Sequence, residues 1–356
     1  MRPVQTMNGI KFTIVSACRN EASHIAALLA SIEQQKLEGV GWEAILADGM
    51  STDGTREYLD KFTKDNPRFR VIANPQRIVS TGLNAAIQAA HGEIIIRMDA
   101  HTAYDENYCA KCIETLLATC ADNVGGPART RVKGVLARAV AAAYHSRFST
   151  GGAHFHDVNY EGYVDTVTYG CWRKETLERL GMFDEALVRN QDDELNLRII
   201  RNGGKVWQNP AIISWYSPRP NIPALFRQYF QYGFWKVHVI RKHRRPGSWR
   251  HLVPAAFIVL NVALLVAGIA GLLLGAAWLM LLWMALFGTY AAANLLASLV
   301  AAKNEGWDTL PYLPLVFGAY HISYGSGFLL AMLQSGGTAA SAAGPRSETV
   351  FTRISR

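Results

Sequence analysis

The distribution of apolar positions divides the chain into two regimes. Through the first hundred residues, short apolar runs alternate with amphipathic stretches. Phe12–Ala17, Trp42–Ala47, Arg70–Ala73 and Glu93–Met98 read as buried strands, and Ile25–Gln34, Thr55–Lys64 and Thr81–Ala90 read as helices between them. That alternation predicts an α/β domain with a mainly parallel central sheet and ligands bound beyond the strand carboxyl ends, where Asp48 and Asp99 fall. Further helices are expected at 106–121, 133–147, 174–180 and 192–202, and Gly151–Tyr163, rich in Gly, His and Asn, reads as a mobile loop. The second regime begins after residue 251. Residues 252–302 hold no Lys, Arg, Asp or Glu, and 310–333 are again uncharged. A spanning helix needs roughly 20 apolar residues, so the first stretch holds two spans. The second is either a third span or, given Pro311, Pro314 and His321, a broken re-entrant segment.

Between the regimes, 222–243 mixes Phe226, Tyr229, Phe230, Tyr232, Phe234 and Trp235 with basic residues and reads as amphipathic helices lying in a membrane interface. The expected organisation is a catalytic domain at 1–218, interfacial helices at 219–250, a transmembrane region of two to three spans at 251–334 and a flexible tail at 335–356. Half the residues are hydrophobic, and most of that excess lies in the C-terminal third. The net charge of +8 includes Arg241, Lys242, Arg244, Arg245 and Arg250, crowded before the first span. Such a cluster stays on the cytoplasmic side and suits anionic headgroups, and no aromatic-interleaved RNA motif accompanies it, so no nucleic-acid partner is expected. The first residues lack the apolar run of a secretory signal, which puts the first domain in the cytosol. Five cysteines without regular spacing suit a reducing compartment, and Cys109 and Cys112 read as buried helix thiols more readily than as half of a zinc site.

Three constellations carry chemistry. In Asp48-Gly49-Met50-Ser51-Thr52-Asp53-Gly54-Thr55 an apolar strand ends in a carboxylate flanked by glycine; alone this is commonly a turn, but it also suits contact with a base or ribose. In Asp99-Ala100-His101, residues two apart in an extended segment share a face, which would present a carboxylate and an imidazole to Mn²⁺ or Mg²⁺; the plainer alternative is two solvent-facing side chains. Asp192-Asp193-Glu194 open a helix, where acids often act as dipole partners and where one could instead be a general base.

Taken in order, Val15-Ser16-Ala17-Cys18-Arg19-Asn20-Glu21, Asp48–Thr55, Gly82-Leu83-Asn84-Ala85-Ala86, Gly92-Glu93 before Asp99-Ala100-His101, and Gln191–Leu195 before Arg198 resemble glycosyltransferase family 2, of GT-A fold. The resemblance covers roughly 10–215. Arg227–Lys236 and the basic stretch look closest to the ExoA-like branch, which builds bacterial exopolysaccharide repeat units on lipid carriers. The resemblance implies a nucleotide pocket of Ala17, Arg19, Asn20, Glu21, Asp48 and Asp99, with Asp48 addressing the base, and a metal site of Asp99 and His101. It also implies Asp192 as catalytic base, with Asp193 the weaker candidate. Arg77 and Arg97 are candidate phosphate contacts, and Tyr169, Gly170 and Trp172 candidate acceptor-side residues, although Trp172 suits a packed core equally. His154 and His156 suit a loop that closes over the site, or plain exposure.

The implied reaction is inverting transfer from a nucleotide diphosphate sugar, a UDP-sugar in the first instance, to a polyprenyl-diphosphate-linked saccharide at the cytoplasmic membrane. Direct transfer to polyprenyl phosphate is the alternative, and a non-catalytic scaffold retaining the fold is the reading from another class. A processive synthase is disfavoured because Gln231-Tyr232-Gly233-Phe234-Trp235 lacks the arginine of the Gln-x-x-Arg-Trp pattern. A transporter is disfavoured because no acidic residue lies within the spans.

Overall fold

The computed structural model describes residues 11–334 apart from 38, 40 and 220; the expected tail at 335–356 lies outside them. In chain order the elements are β1 (Lys11–Cys18), α1 (Ile25–Glu33), β2 (Gly41–Asp48), α2 (Thr55–Asp65), β3 (Phe69–Ala73), α3 (Val79–Ala89), β4 (Ile94–Arg97), β5 (Thr102–Tyr104), α4 (Tyr108–Thr119) and β6 (Asn123–Gly126). Then come α5 (Val135–His145), α6 (Arg147–Thr150), β7 (Gly162–Tyr163), β8 (Thr168–Arg173), α7 (Lys174–Leu180), α8 (Gln191–Arg201), β9 (Val206–Gln208) and β10 (Ser214–Tyr216). The last four are α9 (Ile222–His243), α10 (Val253–Leu273), α11 (Trp278–Glu305) and α12 (Leu313–Leu333). The described residues fall into two compact units, one comprising those up to Arg131 with His154–Ser217 and the other Val132–Ala153 with those from Pro218 onward.

The first unit is built on an eight-stranded sheet of order β3-β2-β1-β4-β8-β6-β9-β7, beside a two-stranded β5-β10 ribbon. β3, β2, β1 and β4 run parallel, and β8 runs antiparallel to both its neighbours. Both faces are covered, as a parallel sheet requires. Alternation along the strands sends Phe12, Ile14, Ile94 and Ile96 into one core with Leu28, Leu29, Ile32, Ile113 and Leu116, while Val15, Ile45 and Ile95 enter another with Leu83, Ile87, Leu177, Leu195 and Ile199. The stretch from His154 to Tyr160, expected to be mobile, is pinned. Gln208 Nε2 donates to the carbonyls of Asp157 (2.9 Å) and Tyr160 (3.1 Å), and the His154 ring stacks on Tyr160 at 4.5 Å.

The second unit corrects the expected boundary. α5 and α6 lie within the span assigned to the catalytic domain, yet Ala139, Val140 and Ala143 of α5 pack with Leu313, Val316, Phe317 and Tyr320 of α12. An alanine-rich amphipathic helix carries no mark of which partner it will cover. α9 is a single helix rather than several interfacial ones, and it buries Leu225, Gln228, Phe234, Trp235 and Val239. Glycine permits this approach to α12. A Cβ on Gly233 would lie 2.0 Å from Tyr324 O, and one on Gly327 would lie 2.0 Å from Phe230 O. Arg241 of the basic cluster donates to Ala331 O (3.0 Å) and Met332 O (3.3 Å), satisfying carbonyls at the end of α12.

α10, α11 and α12 are each long and apolar enough to cross a membrane. α12 is unbroken, because Pro311 precedes it and Pro314 sits in its first turn, where no intrahelical donor is lost. His321 is satisfied within the unit, its Nε2 2.9 Å from Phe148 O and its Nδ1 3.1 Å from the Tyr290 hydroxyl.

The glycine crossing makes a contrast testable in detergent. Gly233→Val or Gly327→Val should lower the thermal denaturation midpoint, since overpacking costs about 1–3 kcal/mol or more. Gly318→Ala, where a Cβ would meet nothing within 4 Å, should leave it unchanged or raised.

Candidate active site

The site forms where β1, β2 and β4 end together. Register pairs Cys18 with Asp48 and Val15 with Arg97, so the loops following these strands leave from one edge. The loops after β1 and β2 bond to each other through backbone and side chain. Asn20 N–H donates to Ser51 Oγ (2.8 Å), Thr52 N–H to Asn20 Oδ1 (2.7 Å), Glu21 N–H to Thr55 Oγ1 (2.7 Å) and Ala22 N–H to Asp53 Oδ2 (3.1 Å). Asn20 and Met50 take left-handed φ values of 55° and 58°, a conformation asparagine tolerates better than most residues. Burial opposes ionisation of Asp53, but hydrogen bonds from Thr55 and Ala22 outweigh it and hold the carboxyl below the usual range. Asp48 is buried, and Ser51 N–H lies 3.3 Å from each of its carboxylate oxygens. A Cβ on Gly49 would lie 3.0 Å from Arg19 Cβ, so the Arg19 stem lies close over that glycine. Arg77 is exposed at a left-handed φ of 62°, in the loop whose Asn74 N–H bonds Asp48 O at 2.7 Å.

At the end of β4, Arg97 is 5% exposed. Its Nε donates to Asp99 Oδ1 (2.7 Å) and its Nη2 to Asp99 Oδ2 (2.6 Å), while Nη1 is buried without a hydrogen-bond partner. The guanidinium lies 6.0 Å from the Tyr169 ring centroid. Burial disfavours its charge, but Asp99 and then Asp192 outweigh that and raise its pKa, keeping it protonated. Tyr104 accepts from Asp99 N–H at 2.5 Å, and the Tyr169 and Thr102 hydroxyls are hydrogen-bonded. Burial pushes both phenols up, so they stay neutral.

Asp99 and His101 are therefore not presented together on one strand face. β4 ends at Arg97, and the chain turns, with Thr102 N–H bonding Asp99 O at 3.3 Å. The carboxylate turns back to Arg97, whereas His101 Nε2 lies 3.0 Å from Glu21 Oε1. His24 Nδ1 lies 3.5 Å from Glu21 Oε2, and the donor atoms of Glu21, His24 and His101 are all within 4.8 Å of one another. The Asp99 side chain keeps 28% exposure against 6% for Arg97, so its carboxylate has an edge open to solvent. With the His101 imidazole two residues on, the donor types fit a hard divalent cation completed by phosphate oxygens and water.

α8 starts after Asn190 at a left-handed φ of 61°. Of its three consecutive acids, Glu194 is fully buried and bonds Arg198 Nη2 at 2.6 Å, which makes it structural. Asp192 accepts from Asp193 N–H at 3.0 Å and acts on the charge of Arg97. Of the acceptor-side expectations at β8, Trp172 is corrected. Trp172 is 1% exposed and lies edge-on to Phe183 at 5.8 Å, inside the core. Gly170 takes φ +120°, where a Cβ would meet the Trp172 ring at 2.4 Å, and Tyr169 lies beneath Arg97. Cys171 and Trp172 of β8 enter the two cores, whereas Tyr169 packs against Tyr104 and hydrogen-bonds Thr102 beside Arg97. The bidentate Arg97–Asp99 pair was missed in the sequence; its signal was a lone cation in the apolar run Ile94–Met98. Cys109 and Cys112 are core thiols, as read, with Cys109 Sγ 3.8 Å from Met98 Sδ.

The first unit has the GT-A fold. It is similar to the mannosyltransferase PcManGT of Pyrobaculum calidifontis, solved with GDP-Man and Mn²⁺, with a TM-score of 0.56 and 21% identity over 89% of this chain and 86% of that one. The family model for Glycosyl transferase family 2 matches residues 13–173. Succinoglycan biosynthesis protein ExoA of Rhizobium meliloti is 32% identical over 90% of this chain and 94% of its own length. The chain belongs to glycosyltransferase family 2. A dolichyl N-acetyl-alpha-D-glucosaminyl phosphate 3-beta-D-2,3-diacetamido-2,3-dideoxy-beta-D-glucuronosyltransferase of Methanococcus voltae is 25% identical over 72% of this chain and 82% of its own.

Two outcomes follow from these positions. Arg97→Met should destabilise the protein by about 3–5 kcal/mol, the usual cost of stripping one partner from a buried pair, with Arg97→Lys intermediate in thermal denaturation. Burial pushes the Cys18 thiol up to about 12 and the Cys109 thiol well above its ordinary value, while Cys120 is exposed. A disulfide reagent should therefore titrate the single thiol of Cys120 in the native protein and all five after denaturation.

Proposed function

We propose that this enzyme is an inverting, metal-dependent glycosyltransferase that moves a sugar from a nucleotide diphosphate donor, a UDP-sugar in the first instance, to a lipid-linked saccharide in exopolysaccharide or related glycan assembly. The observation that carries the reading is Asp99, gripped by the buried Arg97 at the carboxyl edge of β4 with one edge open to solvent, in a family 2 chain. Ala17, Arg19, Asn20, Glu21 and Asp48 would receive the nucleotide, Asp48 taking the base, and Arg77 would reach a phosphate. Asp99, joined by His101 once that imidazole leaves Glu21, would hold Mn²⁺ or Mg²⁺, which supplies charge neutralisation for the diphosphate leaving group. Asp192 removes the proton from the acceptor hydroxyl as it attacks the anomeric carbon from the face opposite the diphosphate, and configuration inverts. Asp193, next along the same helical turn, is the acceptor-side contact.

The ExoA relative supports glycan assembly by its name, and the dolichyl phosphate sugar in the second relative's name supports a lipid-linked acceptor. Three helices able to cross a membrane support delivery of that acceptor at a bilayer surface. The basic residues before α10 support a cytosolic catalytic unit at the inner membrane.

The test is donor turnover by detergent-purified protein with Mn²⁺ or Mg²⁺, across nucleotide sugars and extracted lipid-linked acceptors. One donor should be consumed into a lipid-linked glycan. Asp192→Asn should lose about 10²–10⁴-fold, the usual worth of a general base, and Asp99→Ala should be nearly inactive. Retained activity in Asp192→Asn with loss in Asp99→Ala would shift the reading to transfer onto polyprenyl phosphate; no turnover with any combination would leave a scaffold.

A further inference from the structure

The three side chains Glu21, His24 and His101 meet beside the donor edge, and the reaction above uses His24 for nothing. Glu21 is largely buried, yet each of its oxygens faces an imidazole, Oε1 at 3.0 Å from His101 Nε2 and Oε2 at 3.5 Å from His24 Nδ1. The two rings meet edge to face with centroids 4.7 Å apart. Ser23 Oγ also lies 2.9 Å from His24 Nδ1. Metal-to-ligand lengths of about 2.0–2.2 Å and a tetrahedral angle place neighbouring zinc ligands about 3.3 Å apart. The two observed separations fall on different oxygens of Glu21, and one donor atom from each of the three residues lies within 4.8 Å of the others, so the three groups close round one ion by side-chain movements on the order of 1 Å. His24 and His101 are 49% and 40% exposed, so an ion can reach the cluster from solvent.

We propose that Glu21, His24 and His101 form a second cation site, selective for imidazole-preferring transition ions such as Zn²⁺ and Co²⁺, whose occupancy inhibits the enzyme by withdrawing His101. Two nitrogens and one oxygen suit these ions, whereas Mg²⁺ prefers an octahedron of oxygens and Mn²⁺ stands lowest in affinity among the divalent first-row metals. The two cation sites share His101, and one imidazole nitrogen cannot serve both. Glu21 is withdrawn at the same time from the nucleotide edge. Binding at this site is independent of the proposed reaction; the inhibition rests on that reading.

The experiment uses the full chain in detergent. Co²⁺ is titrated and followed by its visible absorption, Zn²⁺ competes for it, and Zn²⁺ is then titrated into the Mn²⁺-supported donor turnover. His24 precedes α1 and makes no side-chain cap hydrogen bond, so His24→Ala should leave the helix and the turnover intact. Wild type should bind a single equivalent of Co²⁺, displaced by Zn²⁺. His24→Ala should bind both more weakly by at least the roughly 10–100-fold that loss of an outer-shell partner costs, and should escape Zn²⁺ inhibition. The proposal is overturned if wild type binds Co²⁺ no better than His24→Ala, or if Zn²⁺ inhibits both equally. Since the absorption is read without donor or acceptor, absence of turnover counts against the proposed reaction while the cation site is still decided.

Discussion

A guanidinium as buried as that of Arg97 must find its counter-charge inside the protein, because an uncompensated buried charge costs far more than any packing gain at one residue. Arg97 finds it two residues along its own chain, in both oxygens of Asp99. β4 carries this pair at the middle of the sheet, bonded to parallel β1 on one side and antiparallel β8 on the other. The pair therefore rests on a strand that is held on both edges. Its asymmetry matters: the guanidinium is enclosed while the carboxylate keeps an edge open to solvent. Asp192, from a different element, bears on the same guanidinium.

The loops after β1 and β2 solve a separate problem. Loops at a strand edge leave backbone donors that must be satisfied by something other than a ladder. Ser51, Asp53 and Thr55 accept the backbone N–H groups of Asn20, Ala22 and Glu21, and Asn20 returns the contact to Thr52. The hydroxyl and carboxyl residues that make the motif recognisable are thus largely occupied in holding the two loops to each other. Asp48 sits buried at the root of this frame.

Where periodicity alone decides structure, the sequence was readable. The first four strands, the helices between them and the starts of α7, α8 and α9 fall within a residue or two of the pattern, because an apolar run bounded by turns has few alternatives. Three features were not readable, each for a physical reason. The turn after β4 ends the strand one residue earlier than its apolar run suggests, since Arg97 draws Asp99 back, and His101 leaves for Glu21. β8 is an aromatic and glycine run that serves equally as a core strand or a cleft wall, and only the packing of Cys171 and Trp172 into the two cores decides the matter for those residues. α5 is an alanine-rich helix whose partner, α12, lies some 180 residues away.

The helices of the second unit show the same dependence of composition on surroundings. α10 and α11 present Val266, Leu273, Leu281 and Leu296 outward, and only Ala and Gly in α10, and Asn294, Ser298 and two Ala in α11, are buried. α12 is the least apolar of the three and the most enclosed, with α9 crossing it at Gly233 and Gly327 and the α10 backbone approaching it at Gly325. A helix surrounded by protein can carry Ser323, Tyr320 and His321, because neighbouring backbone and side chains satisfy them: Tyr320 donates to Val140 O at 3.2 Å and Ser323 to Ala319 O at 2.5 Å. A helix facing hydrocarbon has no such partners and must be apolar all round. The prolines and histidine that made 310–333 look like a broken segment therefore mark an interior helix, whose polar groups are matched from within the unit.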